Sequence, residues 1–213
     1  PLSAFTLVDI FQQAGLPDAW CQAIMFKDDS VTQQIVTDNR VAFFNFIGSA
    51  EVGWMLRSKL APGTRFSLEH GGAAPVIIAE DANLEKILPL MAKGAFYHAG
   101  QVCVSVQRVF AHQSIARKVA LELAKLAEQM KVGDPADVDT DIGPMIRHRE
   151  VDRVELWVNE ALAENAELVT GGQRLSESVY SPTVLFNPSQ ASKVSQQEVF
   201  GPVICVYEFK SLD

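Results

Sequence analysis

The stretch 41–60, VAFFNFIGSAEVGWMLRSKL, decides the fold class. Val41 to Ile47 has no polar residue but Asn45 and reads as a strand. Gly48-Ser49 turns the chain into a helix, Ala50 to Leu60, which Pro62-Gly63 stops. Strand, Gly-Ser turn and helix in that order make one half of a βαβ unit. A helix that starts right after a strand presents free backbone N–H groups beyond the strand end, which suits a phosphate. Gly48 and Ser49 are candidates for that contact, although the fuller glycine fingerprint is absent.

Upstream, Leu2 to Ala14 reads as a helix with Phe5, Val8 and Phe11 on one side, Ser3 as a cap, and Gly15 and Pro17 as its stop. Residues 23–26, AIMF, predict a short buried strand, and Ser30 opens a short helical stretch. Downstream, Arg65–Glu69 and Pro75–Ala79 read as strands separated by the Gly71-Gly72 break, the best candidate for a domain boundary. Leu84 to Ala99 is a helix with a bend expected at Pro89. Arg108 to Ala111 is a short strand. Ser114 to Met130 is the clearest helix, with Ser114 as cap and Ile115, Val119, Leu123, Leu126 and Met130 on one stripe. The loop VGDPADVDTDIGP (132–144) leads to a second long helix, Arg149 to Asn165. Strands follow at Glu167–Thr170, Thr183–Phe186 and Val203–Phe209. Strands and helices that alternate in this way define an α/β class with a mainly parallel sheet.

The 213 residues suffice for one large domain or two small ones with a real apolar core. A formal charge of −8 and a pI near 5.0 argue against a broad nucleic-acid or anionic-membrane surface. No apolar run reaches the length of a membrane span, and the N-terminal residues lack the pattern of a signal peptide. Cys21, Cys103 and Cys205 are odd in number and widely spaced, with no CxxC or CxxH pair. Neither a disulfide framework nor a zinc site is expected, and a reducing, cytoplasmic compartment is the default. The four histidines have no metal-ligand spacing. Both ends of the sequence look cut from a longer chain.

Three residues stand where chemistry is performed. Cys103 follows Gly100 just past a helix end, where a thiol is accessible and near backbone N–H groups. A lone cysteine is nevertheless more often a buried apolar residue, and that reading holds for Cys21 and Cys205 beside apolar runs. Glu69 ends a strand before Gly-Gly, a common place for a working carboxylate and equally for a solvated one. Glu198, in QEVFGPV, precedes an aromatic and a Gly-Pro turn, and could simply be a polar residue entering that turn.

Taken together, five segments resemble signatures of the aldehyde dehydrogenase superfamily, in its order: FIGSAEVG (46–53), SLEHGG (67–72), AGQVCVSVQRV (99–109), VGDPADVDTDIGP (132–144) and QEVFGPV (197–203). The resemblance runs over essentially the whole chain. It implies a partial Rossmann-type NAD(P)-binding domain at residues 1–68 and a catalytic domain at 69–213, truncated at its C-terminal end. It further implies that Cys103 is the nucleophile and Glu69 the general base of aldehyde oxidation to the acid through a thiohemiacetal and a thioester. For NAD or NADP it implies Ser49 at the pyrophosphate, Gly48 allowing close approach, Gly71 beside the nicotinamide, Glu198 on the nicotinamide ribose and Phe200 packed near that ring. No metal is implied. The partners implied are a small aldehyde and, in the parent enzyme, a second copy or three further copies of the same chain.

The sequence departs from the family's pattern in ways that bear on these expectations. The family's early strands, its oxyanion Asn and its C-terminal end have no counterpart here, so the isolated chain is expected to be inactive. His70 stands where Leu is common and Ala73 where Lys is common. A relative that passes its thioester to coenzyme A is the alternative enzyme, and Glu69 favours hydrolysis over it. A purely structural fragment is the alternative to an enzyme. The form GQVCVSVQRV resembles relatives that act on small hydroxylated or phosphorylated aldehydes.

Overall fold

The computed structural model describes residues 2–212; Pro1, expected just ahead of the first helix, lies outside the described residues. The chain divides into two compact units, the first ending at His70 and the second beginning at Gly71.

The first unit contains α1 (Leu2–Gln13), α2 (Asp29–Val36), β1 (Phe43–Gly48), α3 (Ala50–Arg57) and β2 (Arg65–His70). β1 and β2 pair in parallel, from Phe43 opposite Arg65 to Gly48 opposite His70, with α3 as the crossover between them. Ser49 caps α3 by accepting the Val52 N–H at 3.4 Å. Three local expectations are corrected. Residues 23–26 form no strand, and Ile24 and Met25 are 61% and 69% exposed. A strand needs an edge to take its N–H and C=O groups, and among the described residues this unit's sheet is β1 and β2 alone. Ser3 lies inside α1 and caps nothing. α2 is capped by Asp28, whose carboxylate accepts the Ser30 N–H at 2.8 Å. Apolar surface is open on this unit, as at Ile47, Phe43 and Trp54.

The second unit carries β3 (Pro75–Ile78), α4 (Leu84–Phe96), β4 (Arg108–His112), α5 (Ala116–Glu128), α6 (His148–Ala163), β5 (Glu167–Thr170), β6 (Thr183–Phe186), α7 (Lys193–Gln196) and β7 (Val203–Phe209). Its sheet has the order β3-β4-β7-β6-β5, parallel throughout except where β5 meets β6. Val203 to Tyr207 are all buried, the continuous apolar run of a strand covered on both faces. Val119 and Leu123 of α5 and Val151, Val154 and Val158 of α6 are fully buried in the same core. Pro89 sits inside α4, which nevertheless continues to Phe96. Ser114 does not cap α5. Its hydroxyl bonds the His112 ring at 2.7 Å instead, and the helix begins at Ala116 without a side-chain cap.

Cys205, in the middle of β7, is fully buried, and burial pushes its thiol up to about 12. Burial likewise holds Tyr180 at about 12. The fold therefore keeps these groups neutral, whereas the unfolded chain releases the thiol proton at its ordinary value. The stability they protect is complete below that ordinary value and is lost as pH rises from there toward 12. Denaturant midpoints measured up the alkaline range should fall. Cys205→Val, within about 1.5 kcal/mol of the parent at neutral pH, should show a shallower fall. An identical alkaline slope in the two proteins would remove Cys205 as a cause.

Candidate active site

The loops entering β3, β4 and β7 meet at the amino ends of those strands. There Cys103, Glu198 and Phe200 line one cleft, together with Gly72, Gly100 and Gly201. The cleft encloses about 10 Å³, a notch for one water beside Cys103 rather than a substrate chamber. Cys103 is exposed, Cys21 half-buried and Cys205 buried.

The backbone that presents Cys103 is strained. After α4 the chain makes one left-handed turn: His98 (φ 50°, ψ 36°), Ala99 (φ 55°, ψ 37°) and Gly100 (φ 69°). Left-handed residues with a side chain cost about 1–2 kcal/mol each, and such strain persists only where the surroundings over-determine it. Phe200, on the facing loop, also has positive φ, at 45°. Contact between the loops explains the turn. A Cβ on Gly100 would lie 2.0 Å from the Gly201 carbonyl oxygen, and one on Gly201 would lie 2.6 Å from Val154 Cγ2. The two glycines thus let the cysteine loop rest on the 198–202 loop, and that loop rest on α6.

Side chains then pin the cysteine loop. Gln101 Nε2 donates to His98 O at 3.0 Å, and Gln101 Oε1 accepts the Ile146 N–H at 2.9 Å, which ties in the end of the 132–144 loop. Ser105 Oγ donates to Ala95 O at 2.9 Å and Gly94 O at 3.2 Å, holding the far side of the loop against α4. Gly72 passes close enough that a Cβ would stand 3.3 Å from Cys103 O and 3.9 Å from Glu198 Oε1. Gly71, with φ 73°, makes the bend just before it.

The remaining predicted residues belong to the first unit. Gly48, Ser49 and Glu69 stand at the carboxyl ends of the paired strands β1 and β2, with Ile47 opposite Glu69 and Gly48 opposite His70. Ligands of open parallel sheets gather at such ends. Glu69 is exposed, while the neighbouring His70 points to the other face. The His70 ring fits against α3 because residue 53 is glycine: a Cβ there would lie 2.4 Å from His70 Cδ2. Trp54 meets the same ring edge-on at 5.3 Å.

Sequence reasoning missed Gly72, Gly201 and Gln107 as cleft residues. The glycines lay inside segments already singled out, and Gln107 is a polar residue between a loop and a strand, with nothing in the pattern to mark it. Among the described residues no group of three or more His, Cys, Asp or Glu is placed to hold a metal ion.

Cys103 thus stands exposed on a strained loop and lines one cleft with Glu198 and Phe200. The chain belongs to the aldehyde dehydrogenase family, matching it over residues 1–213. It is 39% identical over its whole length to 3-sulfolactaldehyde dehydrogenase of Priestia megaterium and 34% identical, over 99% of its length, to betaine aldehyde dehydrogenase of Cereibacter sphaeroides. It spans 44% of the length of each of these relatives. Among solved structures it superposes on an aldehyde dehydrogenase from Brucella melitensis biovar abortus with a TM-score of 0.94 at 30% identity, over all of this chain and 44% of the other. With glyceraldehyde-3-phosphate dehydrogenase from Methanocaldococcus jannaschii, solved with NADP, the TM-score is 0.93 at 32% identity, over 99% of this chain and 46% of the other.

Two outcomes test the geometry. Gly100→Ala adds a carbon in a 2.0 Å gap at positive φ and should cost more than about 3 kcal/mol in urea melts; a change under about 1 kcal/mol would show that the loops part easily. Iodoacetamide at neutral pH, read by peptide mass spectrometry, should alkylate Cys103 before Cys21 and leave Cys205 unmodified in the folded protein. Equal labelling of all three would remove Cys103 from its special place.

Proposed function

We propose that the full-length protein containing this chain oxidises an aldehyde to a carboxylic acid with NAD or NADP, through a thiohemiacetal and then a thioester on Cys103. The observation that carries this reading is the exposed Cys103, presented by strained backbone in one cleft with Glu198 and Phe200.

The residues present suit a dinucleotide. Gly48 and Ser49 bring the N-terminus of α3 to a strand end, and the first N–H groups of a helix have no acceptor within it, which favours a pyrophosphate. Glu198 offers a carboxylate to ribose hydroxyls, Phe200 a ring face to the nicotinamide, and Gly71 and Gly72 a backbone without side chains at the close approach. A bound nicotinamide supplies acceptance of a hydride, which no side chain offers.

The chain's own chemistry follows from its groups. The Cys103 thiolate adds to the carbonyl carbon, and the carbonyl oxygen takes the negative charge. The Cys103 backbone N–H would donate to that oxygen. Once the adduct is a thioester, Glu69 takes a proton from water as the water oxygen attacks the acyl carbon. The acid leaves and the sulfur returns to thiolate. A carboxylate at position 69 favours water over coenzyme A as the acyl acceptor. The GQVCVSVQRV segment and the likeness to the Priestia enzyme favour a small hydroxylated aldehyde as substrate.

In the full-length enzyme, Glu69→Gln should still release one equivalent of NADH or NADPH in the first turnover. Its steady turnover should fall by about two to four decades, the loss expected of a missing general base. Cys103→Ala should abolish even the first turnover. Stopped-flow absorbance of the reduced cofactor measures both. Undiminished steady turnover in Glu69→Gln would assign water activation elsewhere.

A further inference from the structure

Among the described residues, Gln107 is the one buried residue lining the cleft whose side chain reaches across to the opposite loop. It is 5% exposed and precedes β4. Its Nε2 donates to Val194 O at 2.9 Å and to Gln197 O at 2.7 Å, and its Oε1 accepts the Val199 N–H at 2.8 Å. The Gln107 backbone carbonyl also accepts the Cys205 N–H at 2.8 Å. All three polar positions of the amide are thereby used, and two of the bonds fall on the residues immediately before and after Glu198. The 197–199 backbone lies between a four-residue helix, to which the Gln197 N–H is bonded at Lys193 O, and Phe200, whose φ is 45°.

We propose that Gln107 is a positioning residue: its amide clamps the backbone on both sides of Glu198 and so fixes the Glu198 carboxylate and the Phe200 ring in the cleft with Cys103. The clamp needs an amide in particular. A carboxylate would turn repulsion on two carbonyls, and an apolar side chain would take the amide away from the Gln197 carbonyl and leave the buried Val199 N–H without that acceptor. Because Gln107 and Cys103 belong to one loop, the clamp sets the spacing between the sulfur and the residues assigned to the cofactor. This inference rests on the assignment of Glu198 and Phe200 to the cofactor side of the site.

The test uses the full-length enzyme with Gln107→Met, which keeps the length and volume of the side chain, and Gln107→Glu as a second variant should the first fail to fold. Steady-state kinetics and a crystal structure are read together. The expected result is a displaced 197–200 segment and a KM for NAD or NADP raised roughly tenfold, with the KM for aldehyde within twofold of the parent. Glu198→Gln should raise the same KM, and the double variant should be no worse than the worse single. A variant structure with Glu198 and Phe200 in their original places, or a lowered melting temperature with an unchanged cofactor KM while Glu198→Gln raises it, would overturn the clamp. If Glu198→Gln leaves the cofactor KM unchanged while the 197–200 segment is displaced in the Gln107 variant, the clamp stands and the cofactor role of Glu198 falls.

Discussion

A carbon atom placed on Gly100 would stand 2.0 Å from the carbonyl oxygen of Gly201, far inside van der Waals contact, and the geometry around Cys103 is organised by that exclusion. Two backbones can lie this close only where neither carries a side chain at the contact. Each glycine meets a different neighbour, Gly100 the facing loop and Gly201 a valine of α6, so the contact is a stack from helix to loop to loop. The left-handed turn at His98 and Ala99 delivers Gly100 into that stack, and Cys103 follows three residues later at the surface. The local conformation is unfavourable on its own. It is held by the hydrogen bonds of Gln101 and Ser105 and by a core in which β6 and the greater part of β7 have no exposed residue.

The two units use their strands in opposite senses. In the first, the candidate residues stand at the carboxyl ends of β1 and β2, the usual place for ligands on an open parallel sheet. In the second, Gly72, Cys103 and Phe200 all precede their strands, so the cleft lies at the amino ends of β3, β4 and β7. Amino-terminal loops of this kind are not preceded by a strand and followed by a helix N-terminus. The second unit accordingly offers side chains and close-packed backbone where the first offers a helix terminus.

How much of this was legible in the sequence depended on whether the determining force was local. β1, the Gly-Ser turn and α3 were readable because the apolar run, the capping serine and the helix stop are neighbours in the chain. The stripe of α5 was readable because burial repeats at the helical period. Residues 23–26 were misread because an apolar run states only a need for burial, and whether a strand edge receives it is a property of the rest of the unit. Ser114 was misread because a hydroxyl can choose between a helix N–H and a histidine ring, and the sequence does not rank them. Cys103, Glu198 and Phe200 were found through a resemblance of segments, and the structure brings these three into one cleft. Gly201 and Gln107 escaped because their partners lie far along the chain, at residues 100 and 154 for the glycine and at 194 to 199 for the glutamine.

The packing of His70 on Gly53 couples two positions on different elements. An imidazole fits at the end of β2 because α3 presents no side chain there, with only 2.4 Å between the ring and the space a Cβ would fill. Natural variation should reflect this as a linked choice: sequences with an alanine or larger residue at 53 should carry a differently shaped residue at 70. A lineage that acquired the histidine first would have passed through a chain whose helix still carried a side chain in the way of the ring. The order of substitutions is thus written into the spacing between a helix and a strand, and reconstructed ancestors of this chain should have glycine at 53 before they have histidine at 70.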